Sequence, residues 1–96
     1  MSAVIDKAVE ELNGRLAGKG FDGTALFVFS GEGSVVVDGA GARAGEAPAD
    51  VTLTASPETF GDILSGETSA TAAFMTGKLS VDGDMGAAMR LASLLG

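Results

Sequence analysis

Residues 74–91, FMTGKLSVDGDMGAAMRL, constrain the fold of this chain more than any other stretch. Their two corners are glycines, Gly77 and Gly83, which take the positive φ that closes a helix or a strand at low steric cost. Asp84 follows at the position of a helix N-cap, where its carboxylate accepts hydrogen bonds from the free amides of the next turn. The stretch therefore predicts a helix end, a short strand over residues 78–82 and a final helix.

The final helix, MGAAMRLASLL, is apolar over most of its circumference. A helix of this kind has to be covered on more than one side. Met85 and Met89 are four residues apart on one face, and flexible thioethers suit a surface that adapts to ligands of varied shape. We expect this helix to contact the sheet with one side and to be covered by something else on another.

Two other segments predict helices by their caps and periodicity. Residues 3–17 place apolar side chains at helical spacing opposite an acidic face, with Ser2 as the N-cap and an end near Gly18 or Gly20. Ser56, followed by proline at the first helical position, begins a second helix. These predictions describe helices that lie on a core of their own domain.

A third predicted helix is short and covers residues 69–76. Ala70, Ala73 and Phe74 recur at helical spacing in it, so we expect all three to point inward. Gly77 ends this helix.

The strands are predicted by their β-branched and alternating residues. Segments 24–30 and 34–38 form a hairpin through a glycine-containing turn, and residues 42–45 add a weak edge strand. Apolar and threonine residues alternate over 51–55, which is typical of a half-buried strand. Together with the helices, this order predicts one α+β domain over residues 1–96, a mostly antiparallel sheet of four to five strands with helices on one face.

Composition excludes several classes of function. The chain has no cysteine and no histidine, so thiolate nucleophiles, imidazole bases and the usual zinc ligands are missing, and we expect neither catalysis nor a metal or other cofactor. Its net charge of −7 disfavours binding to the negatively charged backbone of a nucleic acid. No apolar run approaches the ~20 residues of a membrane span. Acidic residues stand where a signal peptide is basic, so we expect a cytoplasmic protein without stable membrane insertion.

From Ala49 onward the chain resembles the sterol carrier protein type 2 family. The match lies in the order and spacing of its residues as a set, which are Ala49, Asp50, Ser56, Phe60, Leu64, Gly66, Glu67, Phe74, Met75, Gly77, Lys78, Leu79, Val81, Gly83, Asp84, Ala88, Met89 and Leu91. The resemblance implies a five-stranded sheet against helices, with an apolar tunnel between them. It also implies non-catalytic intracellular binding and transfer of a lipid partner, such as a fatty acid or a sterol. On this resemblance we expect the final helix to contact both the sheet and the bound guest, and to act as a lid.

Ten apolar residues are the candidates for lining that tunnel. They are Phe27, Phe29, Phe60, Phe74, Met75, Met85, Met89, Leu91, Leu94 and Leu95. The alternative that each belongs to an ordinary core stays open. So does a second function, in which the groove is filled by a protein: a homodimer, or an accessory factor in a pathway of lipidic intermediates such as quinone biosynthesis.

Overall fold

The computed structural model describes residues 3–17 and 20–95. It contains four helices and five strands within these residues, in an α+β arrangement. In chain order they are α1 (Ala3–Leu16), β1 (Ala25–Phe29), β2 (Gly33–Asp38), β3 (Gly41–Ala44), β4 (Val51–Ala55), α2 (Pro57–Ser65), α3 (Ala70–Met75), β5 (Leu79–Gly83) and α4 (Met85–Leu95). Each predicted element is present, and its bounds differ from the prediction by a residue or so. The proposed cap Ser2 and the proposed helix end Gly18 lie outside the described residues.

The five strands form one sheet in the order β3-β2-β1-β4-β5. Three of the four pairings are antiparallel, and β1 pairs with β4 in parallel. The sheet is therefore mostly antiparallel, as predicted, with the weak strand β3 at one edge. Strand β5 forms the other edge, next to the helices α3 and α4.

The helices cover one face of the sheet. Alternate residues of β1 and β4 are buried on that face, and the residues between them are half-buried on the other. Val36 is the exception, since it lies on the open face between Leu26 and Arg43 and is still buried. The core thus lies between the helices and one face of the sheet.

The caps form as the sequence predicts. The hydroxyl of Ser56 accepts a hydrogen bond from the amide of Thr59 at 3.1 Å, and Gly66 closes α2 with a φ of 86°. The Asp84 carboxylate accepts from the amide of Gly86 at 2.8 Å. Gly77 and Gly83 both have positive φ, 79° and 110°. The corners around β5 therefore fix where α3 ends and α4 begins.

The predicted inward position of Phe74 is wrong. Ala70 and Ala73 are buried, but the Phe74 side chain is 46% exposed. In a helix of only six residues, one narrow face meets the sheet, and the two alanines occupy it. Phe74 lies beside that face, at the edge of a groove.

Candidate functional site

Three of the candidate residues form an aromatic cluster in the core. The ring of Phe60 lies 5.7 Å from that of Phe27 and 4.3 Å from that of Phe29, measured between centroids. All three side chains are at most 2% exposed. Their position joins α2 to the centre of the sheet and resembles ordinary core packing.

The last helix contributes both core and surface residues. Leu91 and Leu95 are buried with Ala87 and Ala88, whereas Met85 and Met89 are 53% and 71% exposed. Because the buried and exposed residues fall on adjacent faces, α4 packs on the sheet with one side and borders open space with the next. The contact with the sheet is as expected, and contact with a guest on the other side stays a prediction.

The open space beside α4 is a groove of about 200 Å³ between α3, α4 and the edge of the sheet, here called the α3–α4 groove. Three of the ten candidates, Phe74, Met85 and Met89, line it. The full lining is Leu53, Ala70, Thr71, Phe74, Leu79, Val81, Met85, Ala88, Met89 and Ala92. Thr71 supplies the only polar side chain in this set, and none of the ten carries a charge.

Strand register supplies part of this groove. Leu53 of β4 pairs with Val81 of β5, and Ala55 pairs with Leu79, so the apolar side chains of both strands lie on the helix-covered face. Apolar alternation was predicted for β4, but Leu53, Leu79 and Val81 were not among the residues proposed as ligand contacts. The sequence shows which residues of each strand share a face. It does not show the β4–β5 pairing that brings those residues beside α4.

A second groove, of about 390 Å³, separates α1 from α2 and is here called the α1–α2 groove. Of the ten candidates it includes only Phe29, whose ring lies at its base. Val4, Ala8 and Leu64 add apolar surface, and the remaining lining residues are Lys7, Glu11, Pro57, Glu58, Gly61 and Ser65. This groove is larger than the α3–α4 groove, but it has three ionisable side chains in its lining.

Two candidates line neither groove. Met75 is 79% exposed at the end of α3. Leu94 is half-buried and borders a shallow depression beside Arg15. The structure therefore divides the predicted set among the core, the two grooves and the surface instead of gathering it around one tunnel.

Arg15 holds the ends of two helices, a role that the sequence did not indicate. Its guanidinium donates to the carbonyl oxygen of Leu95 at 2.6 Å and also to the carbonyl oxygen of Leu64. These carbonyls belong to the last turns of α4 and α2, where cations are favourable. The side chain thus ties α1 to α2 and to α4, and each of these two helices borders one of the grooves.

Two side chains with shifted pKa values, Asp38 and Arg43, lie near the sheet edge opposite to β5 and the α3–α4 groove. A hydrogen-bonded ion pair with Arg43, closed at 2.9 Å, lowers the pKa of the Asp38 carboxyl below its usual value, and the amide of Ala40 adds to this effect. The same pairing raises the pKa of Arg43. Residues 3–17 and 20–95 contain no group of three acidic side chains placed to hold a metal ion. None of the helices described is long and apolar enough to cross a bilayer.

The sequence is similar to a known protein family and to part of a longer protein. The model of the SCP-2 sterol transfer family matches residues 2–96. Peroxisomal multifunctional enzyme A from Dictyostelium discoideum is 42% identical over 71 residues, which are 74% of this chain and 15% of that protein. The chain therefore corresponds to a small part of that relative.

Two solved structures share the fold closely. The sterol carrier protein domain 2 of Helicoverpa armigera is 30% identical, with a TM-score of 0.77 over 96% of this chain and 85% of that one. Sterol carrier protein-2 of Aedes aegypti, solved in complex with palmitate, is 20% identical, with a TM-score of 0.77 over 100% of this chain and 97% of that one. On the strength of the family match, which covers nearly the whole sequence, the chain belongs to the SCP-2 sterol transfer family.

Proposed function

We propose that this protein reversibly binds a lipid acyl chain in the α3–α4 groove and carries it between sites inside the cell. The observation that carries the proposal is the lining of the groove, which is hydrocarbon and thioether apart from Thr71. Apolar area removed from water contributes on the order of 25 cal/mol per Å² to binding. Family membership and the palmitate bound by the Aedes aegypti protein support the same ligand class.

The α3–α4 groove is preferred over the larger α1–α2 groove because of charge. An acyl chain in the α1–α2 groove would lie against Lys7, Glu11 and Glu58, and ionised groups lose hydration when apolar material covers them. The uncharged lining of the α3–α4 groove avoids this cost. Its volume, about 200 Å³, is below the ~300 Å³ at which ligand pockets usually begin. A flexible acyl chain therefore fits the proposal better than a rigid sterol, and the groove has to widen on binding.

The wall that moves is proposed to be α3. This helix buries only two alanine side chains, Ala70 and Ala73, and each CH₃ group contributes on the order of 1 kcal/mol. By contrast, α4 is anchored by the fully buried Leu91 and Leu95 and by the Arg15 bond to its last turn. From the sequence we expected α4 to be the lid, but these contacts favour α3 for that role.

We further propose that the chain acts without catalysis, since the sequence offers no histidine or cysteine and the proposed groove has no ionisable side chain. The Dictyostelium relative is a far longer enzyme, so a carrier domain serving an attached or separate enzyme is consistent with this role. The relative's name also adds the peroxisome to the cytoplasm as a proposed place of action.

Filling one groove at a time tests the proposal. Ala92→Phe places a ring in the α3–α4 groove, and Gly61→Leu is the matched control, because a Cβ at Gly61 has open space around it in the α1–α2 groove. Calorimetric titration of delipidated protein with palmitate is expected to show at least a tenfold loss of affinity for Ala92→Phe and less than a twofold change for Gly61→Leu. The reverse order, or no binding by the unmodified protein, would reject the proposal.

A further inference from the structure

Four large apolar side chains that line the α3–α4 groove or lie next to it on α3 are exposed to solvent. They are Phe74, Met75, Met85 and Met89, with exposures of 46%, 79%, 53% and 71%, and together they are called the groove rim. Met75 does not line the groove itself. It follows the lining residue Thr71 by four positions, which places both on the same face of α3.

The groove rim is unlike the rest of the described surface. The one other exposed large apolar side chain in that part of the chain is Val4, which lies among Lys7, Glu11 and Glu58. Helix α3 has no charged residue, and α4 has only Arg90. The Arg90 guanidinium stacks over the ring of Phe21 at 5.7 Å and donates to the carbonyl of Asp22. Covering the rim therefore requires no carboxylate on either helix to lose its hydration.

The size of the rim argues against a second protein chain as its occupant. At about 200 Å² for each large side chain, the four exposures amount to roughly 500 Å² of apolar surface. Stable protein interfaces bury about 800 Å² on each partner. Patches of a few hundred Å² on monomers are nevertheless often functional. Shallow insertion of a few side chains into a lipid surface needs no more than this.

We propose that the groove rim docks on the surface of a phospholipid bilayer with electrically neutral headgroups. A net charge of −7 opposes approach to an anionic bilayer, whereas the uncharged rim meets no such barrier at a neutral one. Docked in this way, the mouth of the groove opens into the bilayer, and the ligand passes between them without crossing water. This proposal rests on the proposed function, because it names the partner that loads the same groove.

Vesicle flotation and ligand transfer test the docking separately from ligand binding. Phosphatidylcholine vesicles are mixed with the unmodified protein and with Met75→Glu, Met75→Leu and Val4→Glu. Met75→Glu adds a charge to the rim without touching the groove lining, Met75→Leu restores an apolar side chain, and Val4→Glu adds the same charge at an exposed apolar position elsewhere. Transfer of an anthracene-labelled stearate between vesicles is followed by fluorescence, and palmitate affinity is measured in solution.

The expected result is that Met75→Glu floats at least fivefold less and transfers at least fivefold more slowly, with palmitate affinity changed less than twofold. Met75→Leu and Val4→Glu behave like the unmodified protein, whose flotation is weaker on vesicles that contain phosphatidylserine. The docking proposal is overturned if Met75→Glu floats and transfers normally, or if light scattering shows a dimer that this substitution separates. Absence of palmitate binding by the unmodified protein would instead reject the proposed function, and the flotation result would still stand.

Discussion

At the scale of single residues, Gly83 is the most constrained position around the candidate site. Its φ is 110°, and a Cβ built there would lie 2.3 Å from the carbonyl oxygen of Asp50. The same oxygen accepts the amide of Asp84 at 2.8 Å, one residue before α4 begins. A side chain at Gly83 therefore disturbs both the end of β5 and the start of α4.

We predict that Gly83→Ala lowers the free energy of unfolding by about 3 kcal/mol or more, because backbone strain and a backbone clash add. Gly77→Ala is the matched control: its φ is also positive, at 79°, but nothing lies within 4 Å of the added Cβ. It is expected to cost only about 1 kcal/mol. Urea unfolding of the two variants gives the comparison, and equal losses would show that the Asp50 contact is unimportant.

At the scale of elements, one side chain connects three helices. The guanidinium of Arg15 in α1 donates to the terminal carbonyls of α2 and α4, Leu64 and Leu95. Hydrogen bonds from a charged group contribute about 1.5–3 kcal/mol each in favourable cases. Because Arg15 is half-exposed, hydrogen bonds to water replace part of this contribution when the side chain is removed.

We predict that Arg15→Met lowers the free energy of unfolding by about 1–2 kcal/mol, since two helix ends lose a charged partner. Arg15→Lys should recover part of the loss, because an ammonium group keeps the charge but not the forked geometry. Lys7→Met, an exposed change on the same helix, is expected to stay within about 0.5 kcal/mol. Thermal and urea unfolding measure all three, and a loss for Lys7→Met equal to that of Arg15→Met would contradict this role.

The elements were largely predictable because their signals are local. Ser56, Asp84 and the glycines at 77 and 83 cap or turn the chain in the structure as their residue types require. The positions of side chains at the site were less predictable, because they depend on which elements meet. Phe74 shows this: helical spacing gave it the same inward direction as Ala70, but only the packing of α3 on β5 decides which of the two is buried.

The strand residues that line the α3–α4 groove and the contacts of Arg15 were not predicted from the sequence, for a related reason. Leu53, Leu79 and Val81 have the alternation of a half-buried strand whether they contact a helix or a ligand. The carbonyls that Arg15 binds lie 49 and 80 residues away along the chain, so no local pattern marks them. Family resemblance supplied the fold, but it did not distinguish core from groove.

At the scale of the whole molecule, α3 is the helix that adds least to the apolar core. It buries only Ala70 and Ala73, whereas α1, α2 and α4 each bury at least three residues, with large apolar side chains among them. Loosely held elements are where ligand-binding proteins open most readily. The α3–α4 groove lies along this helix, and three of the four groove-rim residues line it.

Methionine methyl NMR can locate the bound acyl chain, which we propose to lie in the α3–α4 groove. The chain has four methionines, so protein labelled with ¹³C at the methionine methyl groups gives an assignable spectrum. With palmitate bound, we expect nuclear Overhauser effects from the acyl chain to the methyl groups of Met85 and Met89, and none to Met75 in the absence of a bilayer. Palmitate that binds without contact to Met85 or Met89 would show that the acyl chain lies outside this groove.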